Sequence, residues 1–162
     1  MEARIVELSG QKLIGMRRNV SLSDGSIPAL WASYMPRKKE ILTTDSESLF
    51  SVNTYASTEA FLSLKPTSVF EKWVTLAVDS ETPVPAGMES LTIPAGQYAV
   101  FTHRGDLAEF GRTMYRIITE WLPSSGYVLD HRPHVEVLGK KYKHNHPDSE
   151  EAIWLPVRLI DR

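Results

Sequence analysis

A single carboxylate interrupts an apolar run in the last third of the chain. Glu136 stands between Val135 and Val137, and Leu138 follows. Because side chains alternate between the two faces of a strand, one face of this segment must present a carboxylate. If that face is buried, the loss of water raises the pKa of the acid, and a bound cation would restore its charged form. If the face meets solvent, Glu136 is an ordinary strand residue, and the residues alone leave both interpretations open.

Aromatic side chains are the second group that could hold a ligand, since flat rings stack on polycyclic compounds and their faces attract cations. The chain has four tryptophans, six tyrosines and five phenylalanines. The candidates for the walls of a binding site are Trp31, Tyr34, Tyr55, Tyr98, Phe101 and Trp154. Core packing is the competing interpretation, and we favour it for Trp121 on the apolar stripe of a helix.

Histidines and lysines carry weaker signals. The histidine spacing is poor for zinc, and we expect solvated loop side chains and no metal site at His131, His134, His144 and His146. Two short basic runs, at 37–39 and 140–143, have acidic neighbours and predict solvated faces. A glycine-rich phosphate loop and a nucleophile elbow are both missing from the sequence, so we assign no cofactor and no catalytic residue.

Composition excludes several functions. The 162 residues carry a net charge of −2, which argues against a protein that grips nucleic-acid phosphates. The sequence has no cysteine, so it offers no thiol chemistry and no disulfide. It also has no apolar run long enough for a membrane helix and no signal-peptide core. We expect one cytoplasmic domain over 1–162.

The elements that must position these residues follow from periodicity and turn signals. We predict a short helix near 27–35 and a longer one over 106–122, capped by Asp106. The segment 79–88, rich in proline and glycine, should join two halves. The predicted strands cover 3–9, 12–20, 49–55, 70–78, 90–93, 97–103, 134–138 and 152–160.

A weak internal repeat supports two related halves. Gly10-Gln11 recurs as Gly96-Gln97, and Arg18 recurs as Arg104, at a constant offset of 86 residues. The order strand-strand-helix-strand-strand also occurs twice. We therefore predict an α+β fold of pseudo-repeats at about 1–82 and 86–162, whose pseudo-two-fold antiparallel sheet forms a ligand cleft flanked by two main helices.

One longer string resembles a known family. The run from Ile93 to Gly105, a helix ending in Glu120-Trp121-Leu122-Pro123, and the segment Arg132-Pro133-His134-Val135-Glu136 closely resemble the gyrase-inhibitor-like small-molecule-binding family. That family includes the effector-binding domains of AraC-type and MerR-type multidrug-responsive regulators. The resemblance implies a cleft for hydrophobic, often cationic, aromatic compounds, with Glu136 at the position of the carboxylate that faces the ligand.

The same resemblance leaves three functions open. The chain begins inside the first strand, so we expect a stand-alone effector-binding module without a DNA-binding domain, which senses or sequesters drug-like cations and regulates transcription through a DNA-binding partner protein. The second is a hydrolase of reactive cyclopropane-type genotoxins, with Glu136 as base. The third is an inhibitor that binds DNA gyrase itself. We favour binding over catalysis and expect no direct contact with nucleic acid or membrane.

Overall fold

The computed structural model describes residues 2–161, and it consists of one long antiparallel sheet with helices on one face. The strands are β1 Arg4–Leu8, β2 Gln11–Val20, β3 Leu49–Thr54, β4 Phe70–Ala77, β5 Glu89–Ile93, β6 Gly96–Arg104, β7 Tyr127–Leu129, β8 His134–Leu138 and β9 Glu150–Leu159. The helices are α1 Ser26–Tyr34, α2 Thr58–Leu62, α3 Leu107–Arg116 and α4 Leu122–Ser124, with a 3-10 turn at Lys38–Glu40. The fold is α+β, as predicted.

The strand order is β1-β6-β9-β8-β3-β4-β2-β5, and β7 pairs with β9. If β1, β2, β3 and β4 are exchanged for β5, β6, β8 and β9, the same path is read backwards. The β3–β8 pair therefore lies at the centre, where Ser51 is opposite Glu136. The turn glycines Gly10 and Gly96 both have positive φ, 108° and 150°, a conformation that favours glycine. This order is the one expected for two related halves, whose boundaries stay a prediction.

The sheet has three hydrophobic clusters on its two faces. On the helix face, α1 covers a first-half cluster that includes Leu30, Val74 and Leu76. On the same face, α3 and the turn after it cover a second-half cluster that includes Phe101 and Ile153. The opposite face carries one cluster with residues of both halves: Leu13, Val52, Trp73, Ile93, Tyr98, Val100 and Val135. Alternation along every strand separates these sets.

The long helix differs in detail from the prediction. Asp106 caps it as expected, because its side chain accepts a hydrogen bond from the Glu109 amide. The helical path then passes through a π-helical turn, Ile117–Trp121, and continues as α4. Pro123 does not end it, because a proline is tolerated in the first turn of α4. The chain leaves the helix at Gly126, whose φ is 80°.

Besides the 3-10 turn, a helix and a strand were not predicted. The short helix α2 occupies part of the segment 56–67, and the side chain of Ser57 caps it by accepting from the Ala60 amide. The three-residue strand β7 pairs with the end of β9. Among residues 2–161 the structure has no helix long and apolar enough to cross a membrane.

Candidate functional site

A strip of polar side chains runs along the centre of the helix face. It consists of Ser51, Asn53, Lys72, Glu136 and Glu151, and we call it the polar strip. Its central members lie on β3 and β8, between the strands that carry the first-half and second-half clusters. Cross-strand neighbours point to the same face, so Ser51 lies beside Glu136 and Asn53 lies beside Lys72 on this face.

Lys72 is the most deeply buried charged group of the strip. Its residue is 6% exposed, although lysine is rarely buried without a partner. Its Nζ donates hydrogen bonds to Ser51 Oγ at 2.7 Å and to Asn53 Oδ1 at 3.2 Å. Burial lowers the pKa of Lys72, and the negative charges of Glu136 and Glu151 oppose that change.

Glu151 is the acid whose proton affinity changes most. Burial raises its pKa to about 8, the nearby charge of Glu136 adds to the rise, and Lys72 opposes it. The side chain shares a face with Ile153 on β9 and is opposite His103 on β6. Near neutral pH, Glu151 is therefore mostly protonated and can donate a hydrogen bond.

Aromatic rings close one end of the polar strip. The ring centroid of Tyr55 lies 5.0 Å from that of Phe61, 5.2 Å from that of Phe70 and 5.0 Å from that of His134. The ring centroids of Phe61 and His134 lie 4.3 Å apart. We call these four residues the ring cluster. Helix α2 contributes Phe61, and the strands contribute Phe70 and His134. Burial, reinforced by His131, lowers the pKa of His134 to about 4, so this imidazole is neutral under ordinary conditions.

The charges of these acids affect the pKa values of two tyrosines on different segments. Burial raises the pKa of Tyr55, and the charge of Glu136 raises it further. Burial also raises the pKa of Tyr142, with smaller contributions from Glu151 and Glu136. Tyr142 belongs to the segment between β8 and β9. Glu136, an acid with a raised pKa, a buried lysine and a cluster of packed rings thus lie on one face.

The structure divides the predicted ligand-binding residues between the polar strip, the ring cluster and the hydrophobic clusters. Glu136 belongs to the polar strip, and Tyr55 belongs to the ring cluster. Trp31 is half-buried on α1 and packs against the first-half cluster, as Leu49 does. The other four predicted residues, Tyr34, Tyr98, Phe101 and Trp154, lie in hydrophobic clusters.

Those four residues are not placed to line the polar strip. Tyr98 and Trp154 pack together on the opposite face, with ring centroids 6.2 Å apart. Phe101 lies beneath Trp121, edge to face at 5.0 Å, which confirms that Trp121 points at the sheet. Tyr34 is fully buried in the first-half cluster. Strand alternation predicts the split between Tyr98 and Phe101, but the sequence did not indicate which face carries Glu136.

Sequence reasoning missed Lys72, Glu151, Phe61 and Phe70. A signal for two of them was present, because Lys72 alternates with Val74 and Leu76, and Glu151 alternates with Ile153 and Leu155. A charged residue in register with buried positions predicts a buried charge. No comparable signal marks Phe61, since its position depends on the packing of a five-residue helix.

The remaining candidates lie elsewhere. Within residues 2–161, no three histidine or acidic side chains are grouped closely enough to hold a metal ion. A hollow of about 850 Å³ is lined by residues 42–45, 77–79 and 81–83, together with Gln11. Ala77 is five positions from Lys72 along β4, about 17 Å, so this hollow is separate from the polar strip. A smaller hollow, about 230 Å³, opens between β2 and α1 around Arg18 and Ser33.

These features define a small-molecule-binding domain: a pseudo-two-fold sheet with two helical layers and a central strip of charged and aromatic groups. Residues 1–158 match the model of the GyrI-like small molecule binding domain, and the chain belongs to this family. The transcriptional regulator BrlR of Pseudomonas aeruginosa is 27% identical over 159 residues, which are 97% of this chain and 56% of that protein. The chain thus spans about half the length of this relative.

Solved structures agree on the fold. A complex of EcmrR with DNA matches with a TM-score of 0.72 and 17% identity, covering 98% of this chain and 58% of that one. SAV2435 bound to tetraphenylphosphonium matches with a TM-score of 0.70 and 13% identity, covering 98% and 94%. A hydrolase encoded by lin2189 of Listeria innocua matches with a TM-score of 0.57 and 12% identity, and the match covers 97% of this chain and 92% of that one. At these identities the likeness establishes the architecture and not the ligand.

Proposed function

We propose that the protein binds hydrophobic aromatic cations on the polar strip, between α1 and α3, and so senses or sequesters drug-like compounds. The observation that carries this proposal is the position of Glu136, a half-buried carboxylate on the central strand β8, close to the ring cluster. A cation that replaces lost water is stabilised by such a carboxylate, and aromatic faces add to the attraction. SAV2435, a structural relative, is bound to a compound of this class.

The regulatory part of the proposal is that ligand binding acts on transcription through a DNA-binding partner or segment, in the cytoplasm. BrlR is a transcriptional regulator, and the structure of EcmrR is a complex with DNA. In both, the matched region covers little more than half of the protein. We therefore infer that the chain corresponds to the effector-binding part of an AraC-type or MerR-type multidrug regulator, which forms only part of such a protein. With a net charge of −2, the chain itself is not suited to bind DNA.

The first experiment is calorimetric titration with tetraphenylphosphonium and with neutral triphenylphosphine oxide. We expect the wild type to prefer the cation, and Glu136→Gln to weaken cation binding by about tenfold while sparing the neutral compound. The matched control is Glu7→Gln, an exposed acid on β1. Equal affinity of Glu136→Gln and wild type for the cation would remove the role of the carboxylate.

A hydrolase is the second candidate, favoured by one observation. The charge of Glu136 helps to raise the pKa of Glu151, and a protonated carboxyl group beside a second carboxyl group can act as a general acid. A structural relative is a hydrolase. Single-turnover incubation with a cyclopropane-type electrophile would release a ring-opened, hydrated product if the site is catalytic. Recovery of intact compound from a complex that binds it would leave only the binding role.

A further inference from the structure

Lys72 introduces a basic side chain into a site proposed for cations. It lies on β4, and Glu136 lies on β8, with β3 between them, so their strands are about 10 Å apart. The side chain of Lys72 points to the same face as Ser51 and Asn53, and its pKa responds to both Glu136 and Glu151. A ligand on the polar strip would therefore meet the Lys72 amine on one side and acids on the other.

The hydrogen bonding of Lys72 is incomplete. An ammonium group has three N–H donors. Within residues 2–161 it has two hydrogen-bond partners, Ser51 Oγ and Asn53 Oδ1, and both are neutral oxygens. Lys72 takes part in none of the ion pairs formed by those residues. In its ammonium form, Lys72 thus has one N–H donor left for an acceptor that the described chain does not supply.

Burying this lysine is costly, and a site for simple cations would gain nothing from it. An apolar residue of similar size would avoid the desolvation cost and would remove repulsion of the ligand. The cost is offset when a ligand places an acceptor, best a negatively charged one, on the free N–H of Lys72. The chemistry of the strip then matches a compound with two charges rather than one.

We propose that Lys72, held by Ser51 and Asn53, forms an anion subsite, and that the ligands of this protein are aromatic zwitterions whose cationic group meets Glu136 while a carboxylate or similar acceptor meets Lys72. This inference rests on the proposed function, because it uses the same face of the sheet and the same ring cluster. It adds a specificity determinant: a lipophilic cation without an acceptor is a weaker ligand than its zwitterionic analogue.

The test uses one dye skeleton in two charge states. Rhodamine B carries a free carboxylate and is a zwitterion at neutral pH, whereas its ethyl ester is a cation of nearly the same shape. Fluorescence anisotropy at pH 7 measures both dissociation constants on the intact chain. We expect the wild type to bind rhodamine B at least about tenfold more tightly than the ester, as for a hydrogen bond to a charged group.

The matched variants are Lys72→Met, which keeps the volume and removes the charge, and Lys65→Met, which alters an exposed lysine. Lys72→Met should lose the preference and bind the ester more tightly than the wild type does, whereas Lys65→Met should retain the wild-type ratio. A wild type that binds both dyes equally, or prefers the ester, overturns the anion subsite whether or not Lys72→Met folds. A wild type that binds neither dye nor tetraphenylphosphonium overturns the proposed function as well.

Discussion

At the scale of single residues, the polar strip shows how neighbours set the charge of a site. Glu136, Lys72 and Glu151 lie on three different strands, and each changes the proton affinity of at least one other. With Glu151 mostly protonated near pH 7, its carboxyl group adds no full negative charge to the polar strip. A cationic ligand then favours loss of the Glu151 proton, because the added positive charge stabilises the carboxylate.

The first prediction concerns the stability of the folded state in alkaline solution. The folded pKa of Glu151 is about 8, above its ordinary value of 4.5. Between these values the folded chain keeps a proton that the unfolded chain has lost, so the free energy of unfolding falls as the pH rises. The loss should begin above pH 4.5 and be complete above pH 8. From pH 6.5 to 8.5 it should amount to about 1 kcal/mol, after discounting for partial solvent screening.

Urea unfolding at pH 6.5 and 8.5 measures this loss, and Glu151→Gln should lack it. Glu150→Gln is the control, because Glu150 is the next residue, points the other way and pairs with Lys141. His134 has the opposite effect on the free energy of unfolding, which it raises as the pH rises, because its folded pKa of about 4 lies below its ordinary value of 6.5. Most of its effect falls below pH 6.5, and the remainder is the same in the wild type and in Glu151→Gln. An equal loss in wild type and Glu151→Gln would contradict the assignment.

At the scale of elements, strands position the polar strip, and the clusters covered by α1 and α3 lie on either side of it. Helices α1 and α3 each bury an apolar cluster on the helix face, and the central strands β3 and β8 lie between those clusters. Close approach between neighbouring strands makes this arrangement possible. At Gly15, on β2, an added Cβ atom would lie 1.9 Å from the carbonyl oxygen of Val74 and 2.8 Å from Thr75 Cα.

The second prediction follows from that contact. Gly15→Ala must displace the backbone of β4, the strand that carries Lys72, and we expect a loss of about 3 kcal/mol in the free energy of unfolding. Gly111→Ala is the matched control, because a Cβ there meets nothing within 4 Å and the position is in α3. That change should stabilise the protein by about 0.5–1 kcal/mol. Thermal melts measure both changes. Equal melting temperatures for the two variants would contradict tight packing between β2 and β4.

The sequence predicts most of the elements but only part of the site. Alternation and turn residues located eight of the nine strands, and the Asp106 cap located the start of α3, because these signals are local. Glu136 was found from its interruption of an apolar strand. The neighbours that define its chemistry, Lys72 and Glu151, were not, because they come together only through strand pairing across the centre of the sheet. The face that holds Glu136 likewise depends on which side the helices pack.

At the scale of the whole molecule, strand pairs and one hydrophobic cluster combine residues of both predicted halves. β1 of the first half pairs with β6 of the second, and β2 pairs with β5. The central β3–β8 pair also crosses between the halves. The cluster on the opposite face includes Leu13 and Val52 from one half and Ile93 and Val135 from the other. Neither half contains a complete cluster on that face, so the buried apolar area of each depends on its partner.

The last prediction is that the fragments 1–82 and 86–162 fold only together. Alone, each leaves strand edges unpaired and exposes its share of the opposite-face cluster, so we expect little sheet signal in circular dichroism and no cooperative melt. Mixed in equal amounts, they should recover the spectrum of the intact chain, with a melting temperature that rises with concentration. A fragment 1–82 that melts cooperatively by itself would divide the chain into two domains. Glu136 and Lys72 come from different fragments, so dye binding should appear only in the mixture, and its appearance would show that the site is reassembled along with the fold.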